Sequence, residues 1–236
     1  MRMSLYQFYN GIRNRLYKNK IVFRVYAFFM SDIPDGIQRR KLKKYGYQDL
    51  VMLTSALEQI HVQAFCDFGT LLGMIRDDGF IEHDNDIDIG ILKGPEPFDW
   101  ELVEKTLQKQ GMKKTHYYVY DGKITEQTYD FKDGLSVDLF LYEPYPEDRM
   151  RTFVYYKDHD RIYENGQLRS VKALIYPMIR GVKKLEVHGV SVSIPTDPED
   201  RLLAIYGPGW KIPDPDYQPD RTEHLMELLG EKHDSI

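Results

Sequence analysis

Two aspartates separated by one residue stand in the isoleucine-rich segment 86–92. In a β-strand, residues two apart project to the same face, with Cα atoms roughly 6.6 Å apart. Asp86 and Asp88 are therefore expected to point the same way, while Ile87 and Ile89 face the core. Paired carboxylates repel one another, and burying them without a cation costs free energy, so the pair calls for a divalent ion or a position at an exposed rim. Hard oxygen ligands suit Mg²⁺ or Mn²⁺, so we predict a divalent metal site at Asp86 and Asp88.

A third acidic residue, Asp138, is the one charged residue in the apolar segment 136–140. A charge on an otherwise apolar strand needs a partner, and the metal predicted at Asp86 and Asp88 would supply it. We therefore predict that Asp138 is a third metal ligand and a catalytic residue. The alternative is a strand-edge residue that faces water or accepts backbone hydrogen bonds.

Gly69 and Thr70 precede a short apolar segment that ends at Arg76. This pattern is typical of a turn that opens a helix, and the free N–H groups at such a helix start bind phosphate. The glycine would let a phosphate approach the backbone, Thr70 would donate a hydroxyl, and Arg76 would hold the charge. We predict a phosphate-binding site at these three residues.

The other residues with reactive or ligand-forming side chains give weaker signals. Cys66 lies in an apolar run, where a buried structural thiol is expected. Six of the seven histidines lack metal-ligand spacing among themselves and are predicted to be surface or hydrogen-bonding residues: His61, His83, His116, His159, His188 and His224. Aromatic residues that would surround a quaternary ammonium group, or else pack as ordinary strand residues, are Tyr117, Tyr118, Tyr142, Tyr145, Tyr206 and Trp210.

Several segments together form one recognisable series. They are Gly69-Thr70-Leu71-Leu72-Gly73 with Arg76, Gly79-Phe80-Ile81, Asp84-Asn85-Asp86-Ile87-Asp88, Val137-Asp138-Leu139-Phe140, and a closing pattern between Leu185 and Trp210. The series resembles the signature of the LicD family within the nucleotidyltransferase superfold. That family includes bacterial phosphocholine transferases and, more distantly, fukutin and fukutin-related protein. The resemblance covers residues 45–215.

One departure concerns the residues just before the aspartate pair. The family commonly has Pro-Trp-Asp-Asp there, whereas this chain has Glu82-His83-Asp84-Asn85. The departure leaves Asp86 and Asp88 intact, and the roles of Asp84 and His83 stay open.

The resemblance implies an activity as well as a fold. It implies transfer of a substituted phosphoryl group from a CDP-activated donor, such as CDP-choline or a CDP-alditol, to a sugar hydroxyl of a glycan or its lipid-linked precursor, with release of CMP. Two alternatives stay open. One is a nucleotidyltransferase that modifies RNA or protein from an NTP and releases pyrophosphate. The other is a binding protein without catalytic activity on the same fold.

The elements that would position these residues form an α+β chain. The resemblance implies a nucleotidyltransferase-like mixed β-sheet core flanked by helices, with an N-terminal helical arm and a C-terminal α/β extension. Periodicity predicts helices at 38–60, 99–110 and 198–206. It predicts strands at 62–66, 86–92, 115–120, 123–129 and 135–141, and a hairpin of 184–187 with 190–194. Turn residues predict a turn at 31–36 and further turns at Asp121-Gly122, Asn165-Gly166 and His188-Gly189.

Composition limits the classes of protein to which this chain could belong and its expected location. The 236 residues contain 42% hydrophobic side chains, enough for a sizeable core, and no run of eighteen uncharged apolar residues that could span a bilayer. With a net charge of −5, general affinity for nucleic acid is not expected. The single cysteine excludes an intramolecular disulfide and favours a cytoplasmic location.

Charge is distributed unevenly along the chain. Residues 1–48 hold eleven Lys or Arg and two Asp, a net of +9, which leaves −14 for the other 188 residues. We predict a basic amphipathic arm at 1–36 and a single catalytic domain at 37–236. The arm is expected either to contact the anionic inner face of the cytoplasmic membrane or to pack on the domain.

Overall fold

The computed structural model describes residues 32–94, 97–156, 168–214 and 225–234. The predicted arm at 1–36 therefore lies almost entirely outside the described residues, and so does the predicted turn at Asn165-Gly166. Among the residues described, no helix is both long enough and apolar enough to cross a membrane.

Helices and strands alternate in the first half of the described chain, and strands dominate the second half. The helices are α1 (Asp32–Gln59), α2 (Phe68–Arg76), α3 (Trp100–Lys109) and α4 (Pro198–Tyr206). The strands are β1 (Ala64–Cys66), β2 (Asp86–Leu92), β3 (Lys113–Tyr120), β4 (Lys123–Asp130), β5 (Ser136–Tyr145), β6 (Arg149–Tyr156), β7 (Leu168–Pro177), β8 (Val182–Val187), β9 (Val190–Pro195) and β10 (Leu225–Asp234).

Eight of these strands form one mixed sheet in the order β1-β2-β5-β4-β3-β10-β7-β6. Strands β2 and β5 run parallel, whereas the other neighbouring pairs in this sheet are antiparallel. The end of β5 also pairs with the start of β6, which closes the strands from β5 to β6 into a ring. Strands β8 and β9 form a separate hairpin. The predicted class, an α+β fold with a mixed central sheet flanked by helices, is confirmed.

The core follows from the alternating side-chain directions at the start of the two parallel strands. Ile87, Ile89 and Ile91 of β2 are completely buried, as are Val137 and Leu139 of β5. Because successive side chains of a strand project to opposite faces, the polar residues between them face away from this core. The alternation predicted for residues 86–92 is therefore confirmed, and with it the common face of Asp86 and Asp88.

Helix α1 begins earlier than the sequence suggests. We predicted a turn at 31–36 and a helix from 38, yet the helix begins at Asp32 and runs to Gln59. Pro34 lies in the first turn, where backbone N–H groups have no intrahelical partner, so proline costs no hydrogen bond there. The helix thus runs through position 36, where we set the arm boundary. The division into arm and domain stays a prediction.

Two-residue hairpin turns are confirmed where the sequence has residues that tolerate positive φ. Asp121 and Gly122 have φ of 49° and 70°, and His188 and Gly189 have φ of 49° and 77°. Positive φ at both central residues matches the twist of the flanking antiparallel strands. The helix predicted after Asp99 is also confirmed, with the Asp99 carboxylate accepting a hydrogen bond from the Leu102 N–H at 2.9 Å.

Strands β6, β7 and β10 have no counterpart among the sequence predictions. In β10 the leucines at positions 225, 228 and 229 recur at helical spacing. The backbone nevertheless pairs with both β3 and β7. Pairing partners far away in sequence override local preference in a sheet, which is why this strand could not be read from its own residues.

Candidate active site

The three predicted carboxylates lie on two neighbouring parallel strands. Asp86 and Asp88 stand on β2 and Asp138 on β5, and the register sets Asp88 directly opposite Asp138. All three are only partly exposed, at the edge where both strands begin. The prediction that one site contains Asp86, Asp88 and Asp138 therefore has a geometric basis. Their metal-binding and catalytic roles stay predictions.

Helix α2 is attached to β2 through the two residues predicted to bind phosphate. The Gly69 N–H donates to Asp88 Oδ2 at 3.2 Å, and the Asp88 N–H donates to Thr70 Oγ1 at 2.9 Å. Thr70 is only 1% exposed. In this structure Gly69 and Thr70 orient Asp88, and their contact with a phosphate stays a prediction.

Asp84 adds a fourth carboxylate, whose role the sequence left open. A Cβ atom at Gly69 would lie 3.0 Å from Asp84 Oδ2, so the glycine makes room for this carboxylate. That oxygen is buried and has no hydrogen-bond partner among the described residues. Burial raises the pKa of Asp84 to about 6, although His83 and Arg76 act in the opposite direction. An orphaned buried oxygen of this kind is suited to a cation.

The carboxylates disfavour one another's ionisation. Burial, and then repulsion from Asp138 and Asp84, raises the pKa of Asp86 to about 7. Burial, and then repulsion from Asp86 and Asp138, raises the pKa of Asp88 well above its ordinary value. Desolvation and like charges both penalise the charged form, and a bound cation relieves both.

The donor set consists of carboxylate oxygens, which suits Mg²⁺ or Mn²⁺. Within the described parts of the chain, no group of three or more His, Cys, Asp or Glu side chains is arranged to hold a metal ion. Mg²⁺ commonly takes only one or two protein carboxylates and completes its shell with water and substrate phosphates. The residues thus fit an open metal site of that kind.

Arg76 lies at the far end of α2 from Gly69. Its Nε and Nη2 atoms donate to the two carboxylate oxygens of Asp77, both at 2.8 Å. The guanidinium is still close enough to lower the pKa of Asp84. The predicted contact of Arg76 with a donor phosphate stays a prediction, and it would require the guanidinium to share its donors with Asp77.

A buried ion pair beneath the site was missed by the sequence analysis. Arg201 of α4 donates to Asp67 through Nε at 3.0 Å and Nη2 at 2.8 Å, and the Tyr142 hydroxyl donates to Asp67 Oδ2 at 2.5 Å. Asp67 directly precedes α2, and its N–H donates to the Asp88 carbonyl at 3.1 Å. The pair therefore fixes the turn that carries Gly69. Its one sequence signal was a single aspartate between apolar Cys66 and Phe68.

Most of the proposed aromatic residues already have a cation of the protein above the ring. Tyr117 has Lys114, Tyr142 has Arg201, Tyr145 has two arginines and Trp210 has Lys211, at 4.9–5.5 Å from the ring centroids. These contacts favour the ordinary structural interpretation of those aromatics. A cavity of about 660 Å³ is lined by other aromatics, namely Phe98, Trp100, Tyr120 and Phe153.

Cys66 behaves as expected for a structural thiol. It is completely buried, and burial followed by repulsion from Asp67 raises its pKa to about 12. A thiolate is the nucleophilic form of cysteine, so this side chain is unreactive at neutral pH.

A mixed sheet that carries aspartates on two parallel strands, with a helix start bonded to one of them, is the arrangement expected for a nucleotidyltransferase-type domain. The profile of the family LicD/FKTN/FKRP, nucleotidyltransferase domain, matches residues 61–197, more than half of the chain. The chain belongs to this family.

Two curated relatives are similar to this chain at low sequence identity. The mouse protein named ribitol-5-phosphate transferase FKTN is 24% identical over 190 residues, which cover 79% of this chain. The human protein of the same name is 23% identical over 190 residues, with the same 79% coverage. The match spans 38% of the length of each relative.

Proposed function

We propose that this domain transfers a substituted phosphoryl group from a CDP-activated donor to a sugar hydroxyl of a glycan and releases CMP. The observation that carries the proposal is the set of carboxylates on β2 and β5, in which Asp88 faces Asp138, and burial and repulsion raise the pKa of Asp88 well above its ordinary value. Family membership and relatives named as ribitol-5-phosphate transferases support the same chemistry.

In this proposal Asp86, Asp88 and Asp138 hold one or two Mg²⁺ or Mn²⁺ ions. When bound, the metal neutralises charge on the donor diphosphate. Gly69 lets the donor phosphates approach the start of α2, and Thr70 and Arg76 contact them. Phosphoryl transfer depends mainly on positioning and charge neutralisation, so no nucleophilic Ser or Cys is required.

The transfer step forms one bond and breaks one. The acceptor hydroxyl oxygen bonds to the phosphorus that carries the donor's substituent. The bond from that phosphorus to the bridging oxygen of the diphosphate breaks, and this oxygen leaves on CMP. The hydroxyl proton passes to the Asp138 carboxylate, which acts as general base.

We further propose that the acceptor is a cell-surface glycan or its lipid-linked precursor, and that the reaction takes place at the inner face of the cytoplasmic membrane. The basic composition of residues 1–31, which contain six Lys or Arg and no acidic residue, supports this setting. Anionic lipid surfaces attract segments of this composition.

The test incubates the full chain and Mg²⁺ with CDP-choline, CDP-ethanolamine, CDP-ribitol or CDP-glycerol and a panel of methyl glycosides, and measures CMP. We expect CMP release with one donor class, none with Asp86→Ala, and nearly unchanged release with Glu82→Ala, which removes an exposed acid from the preceding loop. Parallel reactions contain NTPs with RNA or protein. Pyrophosphate release in place of CMP would identify a nucleotidyltransferase, and tight donor binding without turnover would identify a binding protein.

A further inference from the structure

A row of polar side chains crosses three antiparallel strands and ends at Asp138. The register pairs His116 of β3 with Thr128 of β4, and Thr128 with Asp138 of β5. The Thr128 hydroxyl donates to Asp138 Oδ1 at 2.5 Å, and His116 Nε2 lies 2.9 Å from the Thr128 oxygen. On the far side of the ring, His116 Nδ1 lies 3.1 Å from the Thr115 hydroxyl.

Counting protons gives this row a direction. A threonine hydroxyl has one proton, and an ionised carboxylate can only accept, so the Thr128 proton is directed to Asp138. The Thr128 oxygen must then accept from His116, which requires a proton on Nε2 of the ring. Thr115 donates to the Thr128 carbonyl at 3.2 Å and can accept from Nδ1–H, or it can turn its proton towards an unprotonated Nδ1. Either arrangement leaves Nε2 protonated.

The Asp138 carboxylate needs such a restraint. Asp86 and Asp88 carry the same charge and stand on the adjacent strand, with Asp88 directly opposite. Repulsion would turn a free carboxylate away from them. The hydrogen bond from Thr128 opposes that rotation, and it is short, charge-assisted and almost buried, since Thr128 is only 5% exposed.

We propose that Thr128 and His116 are positioning residues, which hold the Asp138 carboxylate in the orientation that accepts the acceptor hydroxyl proton through the hydrogen-bonded chain from His116 Nε2–H to Thr128 to Asp138. The proposal rests on the proposed function, because the proton acceptor is assigned there. It also gives a specific role to one of the histidines that sequence spacing left among the ordinary surface or hydrogen-bonding residues.

The kinetic test compares Thr128→Val, which keeps the shape and removes the hydroxyl, with Thr128→Ser, which keeps the hydroxyl. Loss of a residue that orients an active-site ligand typically costs about 10- to 100-fold in activity. We expect Thr128→Val to lower kcat by that factor with the donor KM unchanged, and Thr128→Ser to restore most of it. The matched control is Thr125→Val on the same strand, whose hydroxyl contacts Tyr155 at 2.6 Å, and we expect it to retain kcat.

A double-mutant cycle tests whether His116 acts through Thr128. His116→Phe removes both ring nitrogens and should lower kcat in the wild-type background. In the Thr128→Val background the same change should cause no further loss, because the chain is already broken. Independent, multiplying losses would overturn the proposal, as would wild-type kcat in Thr128→Val.

A measurement without turnover separates this proposal from the proposed function. Long-range ¹H–¹⁵N spectra of the histidine rings report which nitrogen carries the proton, and His116→Phe identifies the His116 signals by their disappearance. We expect His116 to be protonated at Nε2 and its signals to shift in Thr128→Val. A ring unprotonated at Nε2, or signals that do not respond to Thr128→Val, would overturn the chain even in an active enzyme. If no donor is turned over but the spectra behave as expected, the assigned reaction fails and the hydrogen-bonded chain remains.

Discussion

At the scale of single residues, the site combines groups that would be costly to fold without a ligand. Asp84 has a buried oxygen without a partner in the described structure, and Gly69 is small enough to let it approach α2. Asp86 and Asp88 have raised pKa values because they are buried close to other carboxylates. Residues selected for folding alone would not collect like charges in this way, and we propose that the cluster binds a cation.

Asp88→Asn should therefore separate stability from activity. The folded-state pKa of Asp88 is raised, so its contribution to stability is fully present below the unfolded pKa of about 4 and is lost as pH rises through the folded value. In mildly alkaline buffer without divalent ions, we expect a higher free energy of unfolding for Asp88→Asn than for the wild type, and no turnover.

Urea denaturation with and without Mg²⁺ provides the measurement. The wild type should gain stability from Mg²⁺, because a ligand that binds the folded state stabilises it, whereas Asp88→Asn should gain much less. Glu82→Gln, an exposed substitution in the preceding loop, should respond to Mg²⁺ like the wild type. Equal stability of Asp88→Asn and wild type in metal-free buffer would contradict the electrostatic argument.

At the scale of elements, the site depends on how α2 is held between β2 and α4. Local sequence signals were sufficient to predict β2, α3 and both hairpin turns. Alternation, a helix cap and turn residues each lie within a few positions of the chain. They were also sufficient to predict that Asp86 and Asp88 share one face of a strand, because these residues are two positions apart. The pair of Asp67 with Arg201 joins residues 134 positions apart, and His116 reaches Asp138 only through strand register. Contacts of that kind depend on tertiary structure and leave no local pattern.

Arg201→Met should show how strongly α4 supports the site. The substitution leaves the Asp67 carboxylate buried without its cation, and breaking a buried pair in this way typically costs about 3–5 kcal/mol. We expect a loss of that size in the free energy of unfolding, measured by urea denaturation. Lys211→Met, which removes an exposed pair with Glu199, should cost less than about 1 kcal/mol. Similar losses in the two variants would contradict the importance of burial.

The contact between α1 and the β4–β5 turn should depend on pH. Burial, and then a hydrogen bond and repulsion involving Asp133, raises the pKa of Asp49 to about 7. A carboxyl group with a raised folded pKa binds more protons in the folded state, so its stabilising contribution is present below about pH 4 and is lost as pH rises through about 7.

Asp49→Asn should flatten the pH dependence of stability in this window. The other carboxyl groups with raised pKa values are unchanged in the variant. The difference between the two pH profiles of the free energy of unfolding therefore reports the contribution of Asp49 alone. We expect the variant to gain stability relative to the wild type as pH rises from about 4 to about 7. Parallel profiles would contradict the raised pKa of Asp49 in the folded protein.

At the scale of the whole molecule, charge is separated along the chain. A net charge of +9 in residues 1–48 precedes a segment with a net charge of −14. Three carboxylates of that segment, Asp86, Asp88 and Asp138, lie at the start of two core strands. An acidic domain would repel anionic donors and lipid surfaces alike. Bound divalent cations would offset the first repulsion at the site, and the basic N-terminal residues would offset the second.

Deletion of residues 1–30 tests the second part of this argument. The deletion removes six Lys or Arg, each worth about 1 kcal/mol near an anionic bilayer, and leaves the start of α1 at Asp32 intact. We expect binding to phosphatidylserine-containing vesicles to weaken by more than about tenfold, while CMP release with a soluble acceptor persists.

Binding by the full chain should itself weaken as salt rises, since surface attraction is screened. Replacing the six basic residues with Gln should reproduce the deletion if charge is responsible. If the arm instead packs on the domain, the deletion will lower the unfolding temperature and leave vesicle binding unchanged, which would refute a role for this segment at the membrane.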